Sequence, residues 1–291
     1  MKYTAFKKHK SIKVGNELLV FNKTLTMGIL NATTDSFYSE SRAVSDDAIR
    51  KRIQNIFAEG ADILDIGACS TRPGAVAVDE NIEKENVLKA INFAFEIKED
   101  AIISVDTFRS RVAQSAVNAG AHIINDISGG RIDPEMFETV ADLGVPYVLM
   151  HSRGTPETMN GLAKYNDVVN EVIRELSAKV DKLQKLGVSD IIIDPGFGFA
   201  KNIDHNFEIL RRLDEFSILE FPLLVGISRK AMIWKTLDSS PEAALNGTTV
   251  LNSWAVKGGA DILRIHDVRE AVETITLLER LRTESLEQSD E

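Results

Sequence analysis

The sequence predicts a (β/α)8 barrel, and three observations carry that reading. Eight short runs rich in Ile, Val and Leu recur along the chain, apolar throughout rather than alternating, as expected of parallel strands covered on both faces. Helical periodicity fills the intervals, most clearly at Val169, Val172, Ile173, Leu176, Val180 and Leu183, which share one face at three- and four-residue steps. Gly60, Gly120, Gly144, Gly187 and Gly259 each stand one to three residues ahead of an apolar run, where a helix ends in a left-handed cap. Repeated units of helix stop, short turn and strand fit a barrel better than a doubly wound sheet of eight parallel strands.

The strands are expected, in order, in TLTMGIL from Thr24, ADILDIG from Ala61, AIISVD from Ala101, AHIIND from Ala121, VPYVLMH from Val145, DIIID from Asp190, PLLVGIS from Pro222 and ADILRIH from Ala260. Ahead of them, residues 3–23 carry Gly15-Asn16 as a turn between two polar-apolar segments and predict a β-hairpin. No low-complexity stretch or Pro/Ser linker divides the chain, so residues 1–291 read as one domain: hairpin, barrel over about 24–281, and a polar tail over 282–291.

With 44% hydrophobic and 27% charged residues, the 291-residue chain has the balance of a globular protein, which excludes a disordered or fibrous one. A formal charge of -10 disfavours nucleic acid and anionic membranes as partners, so any bound anion needs a local cluster of base. A single cysteine, Cys69, excludes an intramolecular disulfide and a cysteine-rich zinc site and points to a reducing compartment. The N-terminal MKYTAFKKHKSIK has no apolar run behind it, and no segment approaches the roughly 20 apolar residues of a membrane span. A cytoplasmic location is expected.

In such a barrel, chemistry sits at the C-terminal strand ends. Here those ends are polar: Asn31; Gly67 leading to Ser70-Thr71-Arg72-Pro73-Gly74; Asp106; Asn125-Asp126; Met150-His151; Asp194; Ser228-Arg229-Lys230; and Arg264-Ile265-His266. Asp106, Asn125 and Asp194 form a carboxylate, amide and carboxylate set suited to a flat, nitrogen-rich heterocycle, unless each only caps the following helix. Arg264 and His266 alternate on the last strand, so both face one side and suit a phosphate or diphosphate; the plainer alternative pairs Arg264 with a neighbouring carboxylate. Lys230 suits a ring nitrogen, carbonyl or carboxylate, and its post-strand turn disfavours a Schiff base. Asn31 and Asp35 offer oxygen ligands for Mg2+ beside a diphosphate. Phe197 and Phe199 either wall off a flat ligand or plug the core. Asp65 and Asp126 read as supports of the barrel, Cys69 as a small loop residue, and His122 and His205 as structural or exposed. No Ser-His-Asp arrangement or His-rich metal signature is present.

Taken together, MGILNATTDSF, GADILDIGACSTRPGA, ISVDTFR, HIINDISGG, PYVLMHSRGTP, IIDPGFGF, LLVGISRK and ADILRIHD resemble the dihydropteroate synthases, in order, from about Met27 to Val272. The resemblance implies condensation of 7,8-dihydropterin-6-ylmethyl diphosphate with 4-aminobenzoate, assisted by Mg2+, to give 7,8-dihydropteroate and diphosphate. It places Asp106, Asn125, Asp194 and Lys230 on the pterin, with Met150 and Phe199 lining its pocket and Arg264 over its face. It places Asn31, Thr71, Arg264 and His266 on the diphosphate, with Asn31 as metal ligand. Thr71, Arg72, Pro73, Phe199 and Ser228 fall to the aminobenzoate side, where the family binds sulfonamides; a homodimer through late helices is also implied. Two departures stand out. Thr34 replaces a proline and Tyr38-Ser39-Glu40-Ser41 an acidic, glycine-rich stretch in the first loop, while Ala68-Cys69 stand where Gly-Glu is usual. A corrinoid-dependent pterin methyltransferase and a non-catalytic pterin-binding paralog are the alternatives.

Overall fold

The computed structural model describes residues 10–32, 39–69, 78–155 and 158–287. Strands β1 (Ser11–Val14) and β2 (Glu17–Val20) form an antiparallel hairpin whose turn places Gly15 at φ 60°, so glycine stands where a side chain would be strained. The eight expected runs become β3 (Leu25–Asn31), β4 (Ile63–Gly67), β5 (Ile102–Asp106), β6 (Ile123–Asp126), β7 (Tyr147–Met150), β8 (Ile191–Asp194), β9 (Leu224–Val225) and β10 (Ile262–Ile265). They are parallel neighbours in the order β8-β7-β6-β5-β4-β3-β10-β9. A parallel bridge between Ile193 and Leu223 joins the two ends, closing the barrel.

Helices α1 (Ser39–Ala58), α2 (Glu80–Ile97), α3 (Ser110–Asn118), α4 (Met136–Leu143), α5 (Val168–Lys185), α6 (Ile203–Arg211), α7 (Ala231–Trp234), α8 (Leu245–Lys257) and α9 (Val268–Glu287) surround the sheet. The expected apolar stripe on α5 is the buried one: Val169, Val172, Leu176, Val180 and Leu183 pack inward, and only Ile173 is half-buried. All five glycines ahead of strands have positive φ.

Two elements depart from expectation. The seventh run pairs with β10 over only two residues, because the Leu223 amide donates to the Asp261 carboxylate (2.8 Å) instead of joining that ladder. The last helix continues to Glu287 through the segment expected to be a polar tail, because its Leu, Arg and Glu residues are strong helix formers. Among the described residues no helix is long and apolar enough to cross a membrane.

Side-chain alternation along the strands divides the apolar residues into two clusters. The outer one lies between sheet and helices. The inner one fills the barrel's N-terminal half with Met27, Ile63, Ile123, Val148, Ile192, Leu224 and Ile262, and the hairpin residues Ile12, Val14 and Phe21 plug it from below. One step of the pleat above this plug, two residues along each strand, stand Asp65, Asn125, Met150, Asp194, Gly226 and Arg264. The floor of the polar mouth is therefore a sealed hydrophobic layer.

Because Ile12 is buried in that plug, Ile12→Ala is expected to cost about 2 to 4 kcal/mol of stability in denaturant unfolding. Ligand binding at the opposite mouth should survive. A loss below about 0.5 kcal/mol would mean that the hairpin does not seal the barrel.

Candidate active site

The polar mouth is organised around Arg264. Its Nε donates to Asp65 Oδ2 and its Nη2 to Asp106 Oδ2, both at 2.6 Å. Asp65 Oδ2 also accepts from the Asn125 side-chain amide at 3.1 Å. Asp65 is fully buried in mid-strand, so its role is more than the barrel support the sequence suggests: it orients a cation and an amide that both face the mouth. Strand parity was the signal, because Asp65 lies two residues above Ile63 of the inner core and so points inward. Its Oδ1 and the Ser104 hydroxyl, on register-paired residues of β4 and β5, are buried without a hydrogen-bond partner.

Burial pushes the Asp106 carboxyl up to about 7, an effect opposed by Arg264 and reinforced by Asp65, Asp126 and Glu83. Burial acts against charge on Arg264 as well, but Asp65 and Asp106 more than compensate and hold it above its ordinary value. The plainer alternative for Arg264 thus describes its resting state. The pairing uses two of the five guanidinium donors and leaves three for a ligand.

Asp194 closes the opposite side. Its Oδ1 accepts the Gly196 amide at 2.7 Å, and burial raises its pKa against the lowering influence of Lys230. Lys230 hydrogen-bonds the Phe197 carbonyl and lies 5.0 Å from the centroid of the Phe199 ring. Burial draws its ammonium down to about 8, while Asp194 and Asp106 favour the charged form over the effect of Arg264. The two phenylalanines separate: Phe197 is a fully buried member of the outer core, whereas Phe199 is half-exposed beside Lys230. Met150 is buried at the end of β7.

Ser228 and His266 form a unit at the rim. The Ser228 hydroxyl accepts the His266 backbone amide at 3.1 Å and lies 3.0 Å from His266 Nδ1. Burial, then Arg264, lowers His266 to about 4. His266 is therefore neutral at neutral pH, and an adjacent anion would favour its cationic form. Ser228 is bound to the anion end of the mouth through this contact.

Asn31 ends β3 with its side chain exposed and with no hydrogen bond to any described residue. Asp35, Thr71, Arg72 and Pro73 lie outside the described residues. Cys69 is half-buried, with its thiol pushed up by burial, against a nucleophilic role. Asp126 accepts from the Ser128 and Gly130 amides and the Tyr147 hydroxyl, each at 2.7 Å, and is the structural support expected of it. His122 accepts the Ile103 amide, and His205 caps α6 with Asn202.

Behind the Asp194 loop lies a network that sequence inspection misses. Lys201 is buried, and its Nζ is 3.0 Å from each of His151 Nδ1, the Gly196 carbonyl and the Phe199 carbonyl. His151 Nε2 in turn meets Glu175 at 3.0 Å. A lysine just after a glycine-rich loop looks like a solvated residue, and nothing in its spacing marks it as buried.

Comparison with known proteins agrees with this geometry. Residues 27–266 match the family of pterin-binding enzymes. The chain is 43% identical to a dihydropteroate synthase of Synechocystis over 88% of this chain and 90% of that one. It superposes on the Xanthomonas albilineans dihydropteroate synthase solved with 4-aminobenzoic acid with a TM-score of 0.86 and 35% identity, covering 94% of this chain and 98% of that one. The Yersinia pestis dihydropteroate synthase in complex with a sulfonamide drug gives 0.86 and 34%, covering 94% and 99%.

Three titrating groups around Arg264, namely Asp106 and Lys230 in the mouth and His266 at the rim, change charge in the same sense. As pH falls, Asp106 (about 7) loses negative charge, Lys230 (about 8) gains positive charge, and His266, at about 4, is protonated more readily beside an anion. Sulfate, whose own charge is constant over this range, is therefore expected to bind roughly tenfold tighter at pH 6.5 than at 8.5. Calorimetric titration checks this, and pH-independent binding would place these groups away from the anion.

Proposed function

Since the chain belongs to the pterin-binding enzymes and, within them, to the dihydropteroate synthases, we infer that its mouth joins a dihydropterin-6-ylmethyl diphosphate to 4-aminobenzoate, a transferase reaction of folate synthesis. The observation that carries this reading is the junction of two ligand chemistries at one barrel mouth. Asp106, Asn125, Asp194 and Lys230 offer acceptors and donors for the edge of a nitrogen heterocycle, and Arg264 and His266 stand at the adjoining anion end.

In the reaction the bond between the pterin methylene and the diphosphate oxygen breaks, and its electron pair leaves with the diphosphate. The aniline nitrogen supplies the new C–N bond and afterwards releases a proton. Arg264 keeps three donors for the departing charge, and His266 can take up a proton as that charge develops. The Asp194 carboxylate, fixed by the Gly196 amide, stabilises the positive charge that spreads into the pterin. Met150 and Phe199 enclose the heterocycle, and Lys230 holds a polar atom of its edge. A neutral aromatic amine is already a nucleophile, so no general base is required for attack.

The donors fit a hard cation held chiefly by substrate. Asn31 presents an unengaged carboxamide at the rim, and no group of three or more His, Cys, Asp or Glu side chains is gathered for a metal among the described residues. Asn31 would supply one oxygen and the diphosphate most of the others. When bound, Mg2+ supplies neutralising charge to the leaving group. Thr71, Arg72 and Pro73, together with Phe199 and Ser228, complete the proposed aminobenzoate side, where sulfonamides would compete.

The decisive measurement is diphosphate release on mixing the two substrates with Mg2+. Arg264→Ala is expected to lower kcat/KM on the order of a hundredfold, corresponding to about 3 kcal/mol of transition-state stabilisation. No release by the wild-type chain would remove the reading, and near-normal turnover by the variant would remove Arg264 from its role.

The proposed assembly is a homodimer. Val250 and Trp254 on α8 and Leu277 and Leu281 on α9 are large apolar side chains left about half or more exposed on two helices packed together. Sedimentation at micromolar concentration should give twice the 32.2 kDa chain mass, with Trp254→Glu shifting it to the monomer. A wild-type monomer would exclude this interface.

A further inference from the structure

Lys201 is a buried ammonium with a complete set of acceptors. Its three protons meet His151 Nδ1, the Gly196 carbonyl and the Phe199 carbonyl, each at 3.0 Å. None is left for a substrate. The direction of these bonds is fixed from the far end. Glu175 on α5 accepts from Arg153 and lies 3.0 Å from His151 Nε2. The His151 and Arg153 hydrogen bonds hold Glu175 ionised, near about 2, against the opposing effect of burial. A carboxylate only accepts, so the proton sits on Nε2 and the lone pair of Nδ1 faces Lys201.

The loop receives this order through Gly196. Its carbonyl is held by Lys201 from behind, while its amide donates to Asp194 Oδ1 at 2.7 Å on the pocket side. Only glycine fits, because φ is 73° and a Cβ would lie 1.9 Å from the His151 carbonyl oxygen. The next carbonyls are taken in turn: Phe197 by Lys230, Phe199 by Lys201, and Ala200, itself at φ 51°, by the Tyr165 hydroxyl at 3.0 Å. The turn between the Asp194 carboxylate and the Phe199 ring is thus clasped by one lysine inside the pocket and one behind it.

We propose that Lys201, oriented by the His151–Glu175 pair, is a positioning residue for the pterin half of the site. It holds the 196–199 turn so that Asp194 and Phe199 meet the heterocycle in one arrangement, and the proposal rests on the function inferred above. A neutral donor would not replace it, because a primary ammonium alone directs three protons from one atom to a ring nitrogen and two carbonyls. The charge acts on Asp194 as well, since Lys201 is among the cations that favour its ionised form. Burial draws Lys201 itself down to about 7, with Asp194 and Glu175 favouring the charged form and Lys230 and Arg153 opposing it.

The test uses Lys201→Met, which keeps the stem and removes the donors, and His151→Leu, which leaves the ammonium one acceptor short. Amide hydrogen exchange over 195–200 in the ligand-free protein is expected to quicken about tenfold or more in Lys201→Met. Calorimetric affinity for the pterin diphosphate and kcat should each fall about tenfold or more, while the KM for 4-aminobenzoate, whose proposed site shares only Phe199 with the turn, rises by clearly less, about threefold at most. His151→Leu should show the same split, smaller. Wild-type exchange and pterin affinity in folded Lys201→Met would overturn the proposal, as would equal losses for both substrates, which mark general loosening. If Lys201→Met does not fold, unchanged exchange and pterin affinity in His151→Leu would overturn it instead. If the wild-type chain releases no diphosphate, the function reading fails, yet the exchange measurement still decides whether Lys201 clasps the turn.

Discussion

The site depends on one buried guanidinium. Arg264 lies inside a closed barrel directly above a hydrophobic plug, where an isolated charge would be severely penalised. Asp65 and Asp106 make it tolerable, and in doing so they fix geometry across the barrel. β10 reaches over β3 to β4 and β5 through this cation, so residues distant in sequence are held in one cluster. Removing either carboxylate would leave part of a charge unpaired, a loss of about 3 to 5 kcal/mol for buried pairs in general. The same contacts orient Asn125 through the shared Asp65 oxygen. Recognition of the heterocycle and stabilisation of the departing anion are therefore mechanically one unit.

What was legible in the sequence follows from how each residue declares itself. Strands covered on both faces announce themselves as unbroken Ile, Val and Leu runs, so all eight were visible, and their terminal residues named Asp106, Asn125, Asp194, Lys230, Arg264 and His266 directly. The structure brings these together in one mouth. Asp65 was visible as a residue but not in its role, since reading strand ends overlooks a side chain one pleat below the rim. Lys201 was missed because its burial is produced by a tertiary contact, the His151 ring just after β7 and Glu175 from α5, which no local pattern encodes. Likewise β9 is short because Asp261, far along the chain, captures the Leu223 amide. Local patterning writes the barrel, and long-range polar contacts write its exceptions.

The electrostatics of the mouth bear on the proposed diphosphate ester. Around the mouth, the carboxyls of Asp65, Asp106 and Asp194 face the cations Arg264 and Lys230, with Lys201 behind the loop, a near balance of sign. His266 adds no charge at neutral pH. The mouth is therefore not a permanently positive well, in keeping with a chain of net charge -10. An arriving anion would raise the positive potential, because it would favour the protonated forms of His266 and Lys230 that burial disfavours.

That response bears on how the barrier is lowered. Groups already locked in place need little reorganisation as charge develops, and here nearly every polar atom near the reacting carbon is locked by a neighbour: Arg264 by two carboxylates, Asp194 by the Gly196 amide, His266 by Ser228. Lys230 is the partial exception. Its hydrogen bond to the Phe197 carbonyl leaves further ammonium protons for a ligand, and Phe199, which lies against it, is the half-exposed aromatic of the loop. Adaptation to substrate is thereby confined to the Lys230 ammonium and the Phe199 ring. The 196–199 turn itself is clasped by Lys201 and Lys230 as firmly as Arg264 is by its carboxylates, and in the proposed reading its position relative to Asp194 would set the geometry in which a pterin is held.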